Sequence, residues 1–291
     1  MNRCLAFVFA LLCAALTVSS ACVAQPTEWV RFTLDRENDN PSSIHARFDD
    51  RRVNRDRSDW STGFMPSELI GLEVSSFRAS GTRPLHFAVV REAGRLDCSG
   101  NGGGDHAAGN CRFTANAAFN QLLASRGIGR PNLDQAFALM AVNARRDIID
   151  SLAASHYPMP SIDDLTALAA LNVNGPYIAE MARAGYRPAS VSSLIEFKAL
   201  NITPQWIGGF ARIGYANIPG DGLVQLRALN VTPEYITGFQ RIGYRNLSVD
   251  KLVELKALNI TPDFVVSTVG RRSELPPVSD LVELKLFGRK R

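Results

Sequence analysis

The sequence repeats itself with a period of 29 residues. A Leu-Asn-aliphatic triplet recurs in one register as Leu171-Asn172-Val173, Leu200-Asn201-Ile202, Leu229-Asn230-Val231 and Leu258-Asn259-Ile260. A Gly-Tyr pair keeps the same spacing at Gly185-Tyr186, Gly214-Tyr215 and Gly243-Tyr244. A fixed period of this length is typical of stacked repeats, in which each unit buries its apolar face only against its neighbours. The period therefore favours an extended binding surface over an enzyme pocket.

Each unit predicts two short helices joined by a turn. In the unit 214–242, a first helix opens at Asp221 or Gly222, and its apolar stripe consists of Leu223, Val224, Leu226 and Leu229. Thr232 can cap the second helix, Pro233 suits its first position, and Gly243 can end it in the left-handed conformation. Helices of about ten residues are marginal in isolation, so stacking between units must hold them.

The repeat extends in both directions from the clear units. Residues 127–155 form a degenerate first unit, because Leu139 and Asn143 lie 29 residues before Leu168 and Asn172. At the other end, residues 281–285 repeat residues 252–256 and the pattern stops at a half unit. The sequence therefore predicts an α-solenoid of about five helix-turn-helix repeats over residues 116–291.

The first residues predict an export signal. Arg3 is followed by an apolar stretch over residues 5–16 that is too short to span a bilayer comfortably. A signal peptide over residues 1–24 leaves Gln25 first, and lipoprotein anchoring at Cys22 is the less favoured alternative, since Ser19 stands where an aliphatic residue is expected. No later segment is apolar enough to cross a membrane. We therefore expect a periplasmic or secreted protein.

Residues 25–115 predict a small β-rich domain, so that the fold class is α+β. Val30, Phe32 and Leu34 alternate with polar residues, and a second alternating stretch lies around Phe87 and Val89. The polar segment 35–59 is expected to be a solvated loop or irregular strands, with a short strand near residues 44–48. Residues 66–69 look like a single helical turn.

Cys98 and Cys111 are the two cysteines that remain after the signal peptide. In an oxidising compartment they predict one disulfide, which joins two strands of a hairpin. The glycine-rich segment 100–106 between them is expected to be a long flexible tip. Asp105 and His106 add metal-ligand types, but the spacing matches no zinc pattern, and a strand rather than a helix follows the loop. The sequence therefore predicts no metal and no cofactor.

The candidate contact residues lie in the repeats. Tyr186, Tyr215 and Tyr244 form one ladder, whereas Trp206, Tyr235 and Phe264 form a second that is expected to pack in the core. The candidate solvent-face residues, where the specificity for a partner is expected to lie, are Gln205, Glu234, Asp263, Gln240 and Arg241.

The segments 87–94 and 111–116, together with the repeats, carry a family resemblance. Phe-Ala-Val-Val-Arg-Glu-Ala-Gly, a glycine-rich loop and Cys-Arg-Phe-Thr-Ala-Asn resemble the extracytoplasmic region of some bacterial membrane metallopeptidases of the beta-lactam-sensor, antirepressor-regulating type. The resemblance covers residues 85–291 and implies a sensing or partner-binding module. The peptidase is not implied, because its His-Glu-x-x-His motif is missing: none of His45, His86, His106 or His156 precedes Glu.

Two hypotheses about function follow. The first is a non-catalytic exported protein whose solenoid binds an envelope or secreted protein, with a membrane peptidase as one candidate. The alternative is a sensor accessory that binds a small ligand or cell-wall fragment and signals to a membrane peptidase. Catalysis is not expected, since no Gly-x-Ser-x-Gly motif is present and the paired cysteines leave no free thiol. The net charge of +4 over 291 residues is too small to imply a nucleic-acid partner.

Overall fold

The computed structural model of the protein describes residues 28–37, 40, 42–50, 58–186, 190–269 and 275–288. The predicted signal peptide, with Cys22, lies outside these residues. Within them, a six-stranded antiparallel sheet is followed by a series of helices, which is the predicted α+β class. No helix in these ranges is long and apolar enough to span a bilayer.

The sheet has the strand order β3-β2-β1-β6-β5-β4. Its strands are β1 (Glu28–Arg36), β2 (Ile44–Asp50), β3 (Ser58–Phe64), β4 (Arg83–Arg91), β5 (Gly94–Gly103) and β6 (His106–Ala115). Alternation puts Val30, Phe32 and Leu34 of β1 on the core face, each at most 1% exposed. The predicted strands around these residues and around Phe87 are confirmed, as is the turn at residues 66–69, where Pro66–Glu68 forms a 3₁₀ helix.

The polar segment between β1 and Phe64 contains more strand than the sequence predicts. The expected short strand near residues 44–48 is confirmed and runs to Asp50. The prediction missed β3, in which Phe64 is buried, Trp60 is half-buried, and Ser, Thr and Gly occupy most other positions. Phe48 stacks on Trp60 with ring centroids 4.7 Å apart. This aromatic contact packs β3, an otherwise polar strand, against the rest of the sheet.

The glycine-rich segment is strand, not a long flexible tip, so that prediction was wrong. β5 continues to Gly103 and β6 starts at His106, which leaves Gly104 and Asp105 as a two-residue turn with φ of 64° at both positions. The amides of both turn residues donate to carbonyls of the short helix α1 (Val74–Arg78) and the residue after it. A Cβ at Gly103 would collide with the carbonyl of Gly81, so the glycines permit close backbone packing.

The helices after the sheet are short, and those between the first and the last come in pairs. They are α2 (Ala117–Ser125), α3 (Leu133–Ala141), α4 (Arg146–Ala154), α5 (Ile162–Ala170), α6 (Gly175–Arg183), α7 (Val191–Ala199), α8 (Pro204–Ala211), α9 (Gly220–Ala228), α10 (Pro233–Arg241), α11 (Val249–Ala257), α12 (Pro262–Val269) and α13 (Val278–Phe287). The caps follow the sequence: the hydroxyls of Thr203 and Thr232 accept from the amides three residues on, and Ser161 forms a capping box with Asp164. The start predicted at Asp221 or Gly222 falls at Gly220 instead, after Pro219, which provides no side-chain cap.

Left-handed residues end the helices at intervals of 29 residues. After the first helix of each pair, φ lies between 50° and 56° at Asn143, Asn172, Asn201, Asn230 and Asn259. After the second helix, the left-handed residues are His156, Gly185, Gly214 and Gly243. Asn tolerates this conformation better than most residues, and Gly carries no penalty there. The repeated triplets and Gly-Tyr pairs of the sequence therefore mark the ends of the helices.

The helices contact each other at alternate positions along the chain. The first helices pack in the series α3-α5-α7-α9-α11-α13, and among the second helices α4 packs on α6 and α10 on α12. Fully buried residues such as Leu168, Leu194, Leu226 and Leu255 fill the space between them. Each pair thus buries its apolar residues against the pairs before and after it.

Arg91 connects the sheet to α3. Its Nη1 donates to the carbonyl oxygens of Met140 at 2.9 Å and Ala141 at 2.6 Å, at the end of α3. The guanidinium also lies 4.9 Å from the ring centroid of Trp60 and 5.4 Å from that of Phe64. Burial lowers the pKa of Arg91 from its ordinary value. A cation here compensates the negative end of the α3 dipole.

Candidate binding surface of the helical region

Three predicted contact residues lie at the start of the second helices and face solvent. Gln205, Glu234 and Asp263 occupy the second position of α8, α10 and α12, and all three are exposed as expected. Hydrogen bonds from the backbone amide of Glu234 and from the Thr232 hydroxyl lower the pKa of the Glu234 carboxyl. The three side chains differ in length and charge although their backbone positions match.

A groove of about 350 Å³ separates α8 from α10 and contains two of the predicted residues. Glu234 and Arg241 line it together with Arg212, so the groove carries both signs of charge. Gly209 keeps it open, because a Cβ at this position would lie 3.1 Å from Cγ of Pro233. The structure therefore brings Glu234 and Arg241 to one concave site.

Gln240 was expected on the solvent face but is half-buried, which corrects that expectation. Its Nε2 donates to the carbonyl oxygen of Ile213 at 3.2 Å, and Ile213 follows the end of α8. Gln240 thus joins two successive units, since the amide satisfies a carbonyl left open at a helix end. The neighbouring Arg241 is exposed, as expected.

The first tyrosine ladder points largely into the molecule. Tyr244 is only 8% exposed, and its hydroxyl donates to the carbonyl oxygen of Pro276 at 2.7 Å. Tyr186 and Tyr215 are half-buried, and burial raises the pKa of both phenols. Tyr157 continues the ladder by donating to the carbonyl oxygen of Tyr186 at 3.1 Å. The hydroxyls of Tyr157 and Tyr244 thus bind to later segments of the chain, and partner contact by Tyr186 and Tyr215 stays a prediction.

The second aromatic ladder supports a row of cations that the sequence analysis missed. Lys198, Arg227, Lys256 and Lys285 each lie over the ring found 21 residues earlier: Tyr177 at 4.7 Å, Trp206 at 5.4 Å, Tyr235 at 4.7 Å and Phe264 at 4.6 Å. Each cation comes from the last turn of a first helix, where it also favours the helix dipole. The recurrence of Lys or Arg every 29 residues was the available signal.

The hydroxyls of the second ladder also bind across units. Tyr177 donates to the carbonyl oxygen of Ile202 at 3.1 Å, and Tyr235 donates to that of Ile260 at 2.6 Å. Burial raises the pKa of Tyr177 to about 12 and raises that of Tyr235 as well. The rings of Trp206 and Phe264 are half-buried against the core, as the sequence analysis expects.

The sheet contributes a second concave region on its polar face. A depression of about 580 Å³ is lined by the charged or polar side chains of His86, Asp97 and Arg112 together with apolar residues that include Ile70 and Phe87. The Cys98–Cys111 disulfide lies beneath it, which confirms the predicted pairing across β5 and β6. In the described parts of the chain, no group of three His, Cys, Asp or Glu side chains is placed to hold a metal ion.

No protein-family model matches the chain, and comparison with the curated proteins finds no significant match.

Proposed function

We propose that the protein is a non-catalytic exported interaction module whose helix pairs stack as a solenoid and bind an envelope or secreted protein on their outer surface. The observation that carries the proposal is a contrast between the contacts that join the units and the residues exposed on their surface. The caps, left-handed turns and cation-aromatic contacts repeat from unit to unit, whereas the exposed Gln205, Glu234 and Asp263 vary. Stacked repeats of this kind create extended surfaces on which partners bind.

The stacked arrangement is supported by the alternate contacts of the helices. Each first helix packs on the next first helix, and helix ends recur at 29-residue intervals. Export is supported by the buried Cys98–Cys111 pair, since such disulfides persist in oxidising compartments. The family resemblance adds a membrane peptidase as one candidate partner.

The test is site-specific photo-crosslinking in cells with the full chain. A photoreactive residue replaces Gln205, Glu234 or Asp263 in turn, and matched probes replace Ser99 or Asn110, which are exposed on the polar sheet face. We expect the same protein partner to be captured from the three helix positions and from neither sheet position. Capture from the sheet positions alone would contradict the proposal.

A sensor accessory that binds a small ligand is the second candidate, and the polar depression on the sheet favours it. A concave region with both charges near Asp97 and Arg112 suits a small zwitterionic ligand such as a soluble cell-wall fragment. Calorimetric titration with purified fragments would show saturable binding that weakens in Asp97→Asn. Binding that is unaffected by this substitution would argue against the depression as the site.

A further inference from the structure

A second groove in the helical region departs from the repeat pattern. It has a volume of about 460 Å³ and lies between α7 and α9, where the turn after α6 also reaches it. We call it the α7–α9 groove; its side chains include Tyr186, Glu196, Phe197, Asn217 and Asp221. The volume falls within the range of roughly 300–1,000 Å³ that is typical of ligand clefts.

The floor of this groove differs from the matching place in other units. Gly220 opens α9, whereas Val191 and Val249 occupy the same position in α7 and α11. The ring of Phe197 lies next to the place of the missing side chain: its Cζ would be 3.3 Å from a Cβ at Gly220. The exchange places an aromatic ring at the floor of the groove in this unit.

The charge of the groove is also specific to this unit. Glu196 and Asp221 both line it, both are exposed, and neither makes an ion pair with another described residue. The equivalent pairs at the other junctions are Ala138 with Asp163, Ala167 with Ser192, Gln225 with Asp250, and Glu254 with Ser279, so none of them is doubly acidic.

A basic residue that neighbouring units carry is replaced beside the groove. Ala216 stands directly before Asn217, whereas Arg187 and Arg245 hold the equivalent positions in the sequence. None of the described residues that line the groove is basic. Among the described residues, the side chains that line the groove therefore carry a net negative charge, in a chain whose net charge is positive.

We propose that the α7–α9 groove binds an arginine or lysine side chain of the protein partner. The alkyl part of such a side chain fits beside Tyr186 and Phe197, and its cationic end fits the carboxylates of Glu196 and Asp221. Aromatic rings and carboxylates together favour cations over neutral side chains of similar length. This inference rests on the proposed interaction function and names the chemistry of the partner that the function requires.

The test is an NMR titration of the folded full chain with three short peptides at low ionic strength. The probes are acetyl-Gly-Arg-Gly-amide, acetyl-Gly-Lys-Gly-amide and the citrulline analogue of the first, which keeps the shape of arginine without its charge. We expect saturable shifts of the amides of Gly185, Asn217 and Gly220 with a basic peptide, and at least fivefold weaker binding of the citrulline peptide. Added salt should weaken the binding, because both carboxylates are exposed.

Variants then assign the binding to the groove. Glu196→Gln with Asp221→Asn should weaken the binding of the basic peptide at least fivefold, and Ala216→Arg should weaken it severalfold by restoring the cation of the neighbouring units. The matched control is Asp250→Asn with Glu254→Gln, which removes two acids of α11 and should leave the affinity unchanged. Ala216 is exposed, so its replacement tests charge without disturbing the core.

The inference is overturned if neither basic peptide causes saturable shifts, if citrulline binds equally well, or if the acid-to-amide variants bind as the parent does. The proposed function fails separately, when crosslinkers at Gln205, Glu234 and Asp263 capture no common partner. If that partner is captured but the peptides do not bind, the interaction function stands and the groove inference alone is lost.

Discussion

Arg91→Met removes the cation that joins the sheet to α3, and we expect it to lower the free energy of unfolding by about 3 kcal/mol. A hydrogen bond to a charged group contributes about 1.5–3 kcal/mol, and Arg91 makes two to the last carbonyls of α3. Its position over Trp60 adds about 0.5–2 kcal/mol for a partly buried cation. Because one nitrogen makes both hydrogen bonds and such contributions are not fully additive, the expected loss lies just below the lower end of their sum, which is about 3.5 kcal/mol. The methionine keeps most of the apolar contact, so the loss reports the polar end.

The assay is urea denaturation followed by tryptophan fluorescence, because Trp60 lies beside the substituted side chain. For a chain of this size, 3 kcal/mol corresponds to a fall in the melting temperature of roughly 6–12 °C. Arg95→Met is the matched control: Arg95 is half-exposed and pairs with Asp97 at 2.7 Å on the solvent side of the same sheet. Such a pair contributes about 0–1 kcal/mol. Equal losses in the two variants would refute the reasoning.

Three further outcomes are expected. Cys98 and Cys111 are 13 residues apart, and reduction of their disulfide should lower the free energy of unfolding by about 3 kcal/mol in the chain-entropy model. Urea midpoints with and without reductant measure this loss, and coincident midpoints would contradict it. At Asn230, where φ is 53°, replacement by Ala should lower the free energy of unfolding by about 1–2 kcal/mol, whereas replacement by Gly should change it little. Equal losses of stability in thermal unfolding would contradict the role of the left-handed turn. Burial raises the pKa of Tyr177 to about 12 from 10.0, so its contribution is complete below pH 10 and is lost as the pH rises through 12. Denaturation across this window should show a smaller decline for Tyr177→Phe, and an unchanged decline would exclude Tyr177 as its source.

The helical region could be predicted well from sequence because its signals are local. Thr232 caps a helix through its own hydroxyl, and Asn230 ends one through its own backbone, so each position reports its structure without knowledge of the rest. The same holds for the candidate residues Gln205, Glu234 and Asp263, whose exposure follows from their place beside a cap.

The features that sequence analysis missed depend on partners distant in the chain. β3 contains few apolar residues, and its strand conformation comes from pairing with β2 and from the stack of Trp60 on Phe48. In the sequence, the glycines before Gly104 resemble a flexible loop. Their strand conformation is explained by the close approach of α1 and the residues after it to their backbone. The acidic α7–α9 groove combines Glu196 and Asp221 from two helices, so neither residue marks it alone.

The cation-aromatic contacts between units have a consequence for how such a chain changes length. Lys198 with Tyr177 and Lys256 with Tyr235 use matched atoms at the same 21-residue separation, so one junction resembles another. Excision of a 29-residue segment would join the remaining segments at an equivalent junction, and duplication would add one more. Recombination within the gene can therefore lengthen or shorten the protein in whole units without a new core. Groove positions such as Gly220 would travel with their own unit, which gives selection a way to move the proposed binding site along the molecule.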